Sequence, residues 1–331
     1  MPEYYIGIMC GTSLDSLDLS LCRFGKVNKI KIFKEYKIKS SLKEQINVCK
    51  SKPNNLGLFK KADKDLTNFI IASLKKFISS SNIKNIKAIG FPGITIKHDP
   101  KNKISKVLGD SQTIASETKI RVIGNFRQTD MKAGGEGAPL APYFHDYIST
   151  FNKSFINILN LGGFANLTYK SDGRINAFDI GPANYLIDNW CRRKFQKDYD
   201  KNGNLAKKGE IDYQLLKRMT SDSFFKKNHP KSTGFEKFNM KWLERQIRLT
   251  GYKITNENVL TTLTYFTITT VAQELNKDNS REKKVFVYGG GVKNQLIIDG
   301  ILGSIKHKRV KKMNFGISEK NLEATAFAWL S

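Results

Sequence analysis

Three places where a short apolar run breaks into small residues constrain this chain more than any other feature. The first is Ile8-Met9-Cys10-Gly11-Thr12-Ser13-Leu14-Asp15-Ser16-Leu17-Asp18, which reads as a β-hairpin with a small polar tip. The second, Leu159-Asn160-Leu161-Gly162-Gly163-Phe164-Ala165-Asn166-Leu167-Thr168, is again strand, turn and strand. The third, Val287-Tyr288-Gly289-Gly290-Gly291-Val292-Lys293-Asn294, reads as a strand that enters a helix through glycines. The first two are similar in kind and lie about half the chain apart, so two related lobes are expected.

Further β-type runs at Ile86 to Gly90 and Val285 to Tyr288 alternate with helical spacing, as in Leu66, Phe69, Ile70, Leu74 and Phe77, or Leu186, Ile187 and Trp190. The mixture predicts an α/β protein. A length of 331 residues suits about two domains, and 40% hydrophobic with 11% aromatic content excludes a disordered chain. The 56 basic residues exceed the 30 acidic ones by 26, but lysines are scattered through nearly every segment. That describes a solvated surface better than the stripe a nucleic acid requires, so no nucleic-acid partner is expected. Cys10, Cys22, Cys49 and Cys191 form no CxxC pair and no zinc site with the histidines. The start lacks the features of a signal peptide, and no apolar stretch is long enough to span a membrane. No membrane partner and a cytoplasmic location are the expectations.

Backbone N–H groups in a glycine turn can surround a phosphate, and neighbouring hydroxyls add donors. Gly11, Thr12 and Ser13 have that chemistry, and Asp15 and Asp18 would suit a Mg²⁺ ion beside a phosphate, directly or through water. The tip therefore reads either as a nucleotide and magnesium site or as an ordinary hairpin whose polar residues satisfy the turn. Neither GxxxxGK[ST] nor GxGxxG occurs. In Phe178-Asp179-Ile180-Gly181-Pro182-Ala183-Asn184 an aspartate ends an apolar run ahead of a helical stretch. Asp179 reads as a general base at the lip of a cleft, or as a turn or N-cap residue. Asn125 to Leu140 is too rich in small residues for a core helix and is expected to be a shaped loop. In it Arg127 suits a fork-like grip on a carboxylate and Asp130 suits sugar hydroxyls, unless the two pair on the surface. His98 and His145 read as structural histidines.

Taken together, these segments resemble one family, the anhydro-N-acetylmuramic acid kinases of the actin, hexokinase and Hsp70 superfamily. The likeness is collinear from Tyr5 to Leu330 and includes Leu108-Gly109-Asp110, Pro230-Lys231-Ser232-Thr233-Gly234 and Glu323-Ala324-Thr325-Ala326-Phe327-Ala328 besides the turns above. It implies two RNase H-like lobes of the actin-like ATPase fold, each a mixed sheet flanked by helices, closing on ATP in the intervening cleft. The expected division is residues 1–124 with 310–331 against residues 125–309. The implied reaction opens the 1,6-anhydro bridge of anhydro-N-acetylmuramic acid with water and transfers the γ-phosphoryl group of ATP to O6. The products are N-acetylmuramic acid 6-phosphate and ADP, in bacterial cell-wall recycling.

By the same resemblance Asp179 is the base. Gly11, Thr12, Ser13, Leu14, Asp15, Ser16, Leu17 and Asp18, with Gly162, Gly163 and Asn166, hold the ATP phosphates. Asp15 and Asp18 serve Mg²⁺. Gly289, Gly290, Gly291 and Asn294 lie near the nucleoside, and Thr95, Arg127, Asp130 and Glu323 on the amino-sugar side, with Arg127 toward the lactyl carboxylate. A homodimer is common among such kinases. The chain departs from the family pattern at Cys10, Ser16, Pro92, Ile94, Asn125 and Thr129. Most of these fall on the sugar side, so altered substrate preference or slower turnover is a more natural consequence than loss of ATP binding. A kinase of another amino sugar and a catalytically weak nucleotide-binding protein are the alternatives.

Overall fold

The computed structural model describes residues 2–11, 14–25, 29–100, 102–135, 137–138, 140–150, 157–171, 174–277, 284–306, 309–312 and 321–331. It divides into two compact units, Met1–Phe144 with Asn314–Ser331, and His145–Met313.

The first unit opens with strands β1 (Tyr4–Cys10), β2 (Ser16–Arg23) and β3 (Lys29–Lys37), which form an antiparallel meander. Helices α1 (Ser40–Ser51) and α2 (Leu56–Ser81) follow, the latter capped by the Asn55 side chain on the Leu58 N–H. Next come β4 (Ile86–Gly90), the ribbon β5 (Ile94–Asp99) and β6 (Ile104–Leu108), α3 (Ser111–Thr118), β7 (Val122–Ile123), α4 (Phe126–Lys132) and the start of α5 (Ala141–Thr150), which from His145 on is counted with the second unit. The five-stranded sheet runs β3-β2-β1-β4-β7, with β4 and β7 parallel to β1. Leu66, Ile70, Leu74 and Phe77, spaced three and four apart on α2, are fully buried in the core with Ile6, Ile8, Leu19 and Leu21.

The second unit repeats this plan. Strands β8 (Asn157–Leu161), β9 (Phe164–Ser171) and β10 (Arg174–Pro182) form its meander. Then follow α6 (Asn184–Phe195), α7 (Tyr213–Thr220), α8 (Met240–Arg248), α9 (Asn256–Asn276), β11 (Lys284–Tyr288), α10 (Gln295–Ser304) and β12 (Arg309–Lys312). The sheet order is β10-β9-β8-β11-β12, with β11 parallel to both of its neighbours. Helix α9 is buried along most of its length and carries six threonines, Thr261, Thr262, Thr264, Thr267, Thr269 and Thr270, behind the N-cap Thr255. All five buried ones, Thr261, Thr262, Thr264, Thr267 and Thr270, return their hydroxyl to the carbonyl four residues earlier, which lets a polar helix sit in an apolar core.

The chain then returns to the first unit, where α11 (Leu322–Leu330) packs on β1, β2 and β4. Gly7 and Gly90 lie so close beneath it that a Cβ on either would collide with the carbonyl of Ala324 or Phe327. Ser20 and Thr325 hydrogen-bond there at 3.0 Å.

The mixed, helix-flanked sheets expected of two RNase H-like lobes are both present. The division falls between Phe144 and His145, not at residue 124, and before Asn314, not before residue 310. Contacts within the first unit explain the shift. Phe126 packs on Phe327, and the Gln128 side chain bonds the Lys103 carbonyl and the Ser105 N–H, so α4 belongs with β6 and α11. The expected loop at 125–140 is likewise helical in its first half, because Phe126 and buried Met131 give α4 an apolar side. Among the described residues no helix is long and apolar enough to cross a membrane.

Candidate functional site

In the first unit the hairpin forms as its sequence predicts, with Cys10 opposite Leu17 and Met9 opposite Asp18. Leu14 turns the chain in the left-handed region at φ 56°, donates its N–H to the Gly11 carbonyl at 3.0 Å and buries its side chain. Leu17 is also fully buried. These two shape the tip from the core side, and their side chains offer no donor to a phosphate. Thr12 and Ser13 lie outside the described residues. Asp15 stands exposed with its Oδ1 2.6 Å from the Lys43 ammonium, and the Ser16 hydroxyl donates to Asp18 Oδ1 at 2.7 Å. No cluster of three or more His, Cys, Asp or Glu that could cage a metal occurs among the described residues. Two carboxylates are nevertheless a sufficient protein share for Mg²⁺, which keeps most of its shell for water and phosphate oxygens.

Asp18 also belongs to a second group. Burial pushes the Glu323 carboxyl above its ordinary range, the nearby Asp18 charge adds to this, and Arg127 opposes it. Glu323 thus feels the charges of both Asp18 and Arg127. The Arg127 guanidinium donates to the Gly137 carbonyl at 2.9 Å. Asp130 accepts from the Gly137 N–H at 2.8 Å and from the Tyr143 hydroxyl at 3.0 Å, so its carboxylate ties the loop together. Thr95 is half-buried on β5, opposite Val107. Pro92 and Ile94, two of the departures from the family pattern, are buried.

In the second unit the register aligns Tyr288, Asn160, Asn166 and Asp179 across four strands. Directly opposed residues share a face of the sheet, so these side chains stand in one row. The pairing of β9 and β10 shifts between Asp179 and Gly181, and such a bulge re-aims the side chain beside it. One carboxylate oxygen of Asp179, Oδ2, accepts from the Ser232 hydroxyl and from the Thr233 N–H, each at 2.9 Å. The Asp179 N–H in turn donates to the Lys231 carbonyl at 2.9 Å. Asp179 is thus a strand residue held by a distant loop and caps no helix. The Thr233 hydroxyl beside it is buried and makes no hydrogen bond among the described residues.

The Gly162-Gly163 turn presses its carbonyls onto the start of α6. Gly163 accepts from the Ala183 and Tyr185 N–H groups, and Gly162 from the Asn184 N–H and side chain. In a trans peptide N–H and C=O point opposite ways, so the Gly163 and Phe164 N–H groups face away from α6. That is the orientation a phosphate cradle needs.

The glycines at 289–291 have a packing reason of their own. A Cβ on Gly289 or Gly291 would meet the Asn160 side chain or Leu161 at 2.5–2.9 Å, and Gly289 sits at φ 95°. Asn294 is buried and N-caps α10 through the Ile297 N–H. Its side chain therefore has a structural duty at the place where a nucleoside contact was expected. His145 is buried with Nδ1 3.0 Å from the Thr168 hydroxyl, and burial lowers its pKa to about 3, so it is a neutral structural group.

Lys231, Ser232, Thr233 and Glu274 carry no signal of a functional role in the sequence, because nothing in the spacing of residues 231–233 pairs them with a residue more than fifty positions earlier.

Residues 3–331 match the family described as Anhydro-N-acetylmuramic acid kinase. A protein of that name from Sulfurovum sp. is 36% identical over 336 residues, covering 99% of this chain and 91% of its own length. Another from Pseudomonas savastanoi pv. phaseolicola is 33% identical over 336 residues, covering 100% of this chain and 92% of its own. Among solved structures, component A of the (R)-2-hydroxyglutaryl-CoA dehydratase of Acidaminococcus fermentans is similar over 99% of this chain and 98% of its own, at 10% identity and a TM-score of 0.49.

Proposed function

Because the chain belongs to the anhydro-N-acetylmuramic acid kinase family, we propose that it uses ATP and water to convert anhydro-N-acetylmuramic acid into N-acetylmuramic acid 6-phosphate and ADP. The observation that carries this reading is the Asp179 carboxylate, aimed by a bulge and gripped on one oxygen by Ser232 and Thr233. Two donors on Oδ2 favour the ionised carboxylate, the form a general base needs. In the proposed reaction Asp179 takes a proton from the water that attacks the anomeric carbon. The C1–O6 bond breaks as the new C1–O bond forms, and the released O6 attacks the γ-phosphorus of ATP, with ADP leaving. Positioning and charge neutralisation supply most of the acceleration in such a transfer.

We assign the ATP phosphates to the Gly11–Asp18 tip in the first unit and to Gly162, Gly163 and Asn166 in the second. Asp15 and Asp18 are the carboxylates that would hold Mg²⁺, which when bound neutralises phosphate charge. Arg127 is assigned to the lactyl carboxylate of the sugar, with Glu323 and Thr95 on the same side. Gly289 to Gly291 are assigned to the nucleoside side, where Asn294 acts through its cap. A cytoplasmic place in cell-wall recycling follows from this substrate.

The test is ADP release by purified protein with ATP and Mg²⁺, with and without the anhydrosugar. The reading expects sugar-dependent ADP and a product heavier than the sugar by one water and one phosphoryl group. ATP binding without sugar-dependent turnover would overturn it. The burial of Pro92 and Ile94 favours one second reading, a kinase of a different amino sugar, which the same assay with a panel of amino sugars would reveal.

A further inference from the structure

Behind the loop that grips Asp179 lies a charged cluster that the reaction as written does not use. The Lys231 ammonium is 2.5 Å from Glu274 Oε1, and the two side chains are only 1% and 5% exposed. The other Glu274 oxygen is held by Lys277 at 2.9 Å and approached by His229 Nε2 at 3.2 Å. The His229 ring stacks on Phe178 at 3.6 Å, and the Lys231 ammonium lies 5.8 Å from the Phe178 ring centre and 5.1 Å from that of Phe224. Lys231 therefore uses its two ends differently. Its carbonyl takes the Asp179 N–H, while its side chain is anchored on Glu274 of α9, a 21-residue helix rooted in the core.

Burying a lysine and a glutamate costs desolvation that their attraction roughly offsets, so such a pair adds little net stability. What it supplies is fixed geometry. Residues 231–233 belong to no helix or strand, and the segment starts at Pro230, which has no N–H to donate. We propose that the Lys231–Glu274 pair is the positioning element for Asp179: it pins the segment whose carbonyl, hydroxyl and N–H hold that residue's backbone and carboxylate. The chain of restraint runs from α9 through Glu274 to Lys231, then along the backbone to Ser232 and Thr233. This rests on the reading of Asp179 as the base.

The test measures the Asp179 ionisation in full-length protein by carboxyl ¹³C NMR, the resonance being identified by its loss in Asp179→Asn. In Glu274→Gln the anchor is gone but the Lys231 charge remains. Loosened donors raise the Asp179 pKa, by roughly one unit for two weakened hydrogen bonds, whereas removal of a nearby negative charge alone would lower it. The two explanations thus differ in sign. We expect an upward shift, and a fall in kcat of about 10- to 100-fold with the KM for ATP unchanged. If Glu274→Gln does not fold, Glu274→Asp keeps the charge and shortens the reach, and the same upward shift is expected. An unchanged or lowered Asp179 pKa in a folded variant overturns the proposal. If the wild type shows no sugar-dependent ADP release, the functional reading fails, yet the NMR comparison still decides whether the pair positions Asp179.

Discussion

Gly7 of β1 and Ala324 of α11 are in backbone-to-backbone contact, with no room for a methyl group between them. A helix seated directly on a central strand leaves that strand no choice of residue. Gly7→Ala should therefore destabilise the protein by about 1–3 kcal/mol or more, the range for overpacking a close-packed site. Gly57→Ala provides the contrast, since the added methyl meets only the Asn55 side chain at 3.5 Å and sits in the first turn of α2. There the change should be neutral or stabilising by up to about 1 kcal/mol. Urea unfolding of both variants checks the pair.

At the candidate base two substitutions should separate chemistry from placement. Asp179→Asn should cost roughly 10²- to 10⁴-fold in sugar-dependent turnover, the usual contribution of a general base, while nucleotide affinity persists. Ser232→Ala removes one donor from Oδ2 and disfavours the carboxylate. The acid limb of its kcat–pH profile should accordingly move to higher pH, as stopped-time ADP assays across pH 4–8 would show.

Glu323 makes a prediction about stability. Its folded-state pKa is raised, chiefly by burial and further by Asp18, with Arg127 opposing. Protonated Glu323 is the form the fold prefers, so its contribution is fully present below the unfolded pKa and is lost as pH rises through the folded one. Glu323→Gln should remove that loss. The melting-temperature gain of the variant over wild type should grow from pH 4.5 to pH 8, and a constant difference would count against the assignment.

The thiols should be quiet. Burial pushes Cys10 and Cys191 up to about 12 and Cys22 up to about 11, and it raises Cys49 as well. At pH 8 a thiol of pKa 12 is ionised to the order of one part in ten thousand, and the thiolate is the reactive form. Iodoacetamide should leave Cys10, Cys22 and Cys191 unmodified in the native protein over a period that alkylates all four in denaturant, as intact mass would record.

The sequence announced what is local. An apolar run ending in Gly11, and another ending in Gly162-Gly163, can only turn, and both meanders follow from them. The helical stripe Leu66, Ile70, Leu74 and Phe77 faced the core for the same reason. Asp179 was marked because an aspartate before Gly-Pro is conspicuous. Its grip was not, because Ser232 and Thr233 meet it through a tertiary contact that no period encodes. Nothing in the sequence sets Lys231 and Glu274 apart from the other charges of a lysine-rich chain, and only the fold buries them together. The helical start of the 125–140 segment was missed because the glycines after Lys132 dominate its composition, while Phe126 and Met131 decide its first turns.

The seating of α11 on β1 also sets an order of assembly. The second unit is one unbroken stretch of chain, complete once Met313 has been synthesised, whereas the first begins at residue 1 and lacks its cover until residues 322–330 emerge. During vectorial synthesis the earliest sheet must wait, its glycine groove open, for the latest helix. The unit that starts first is therefore the one that finishes last.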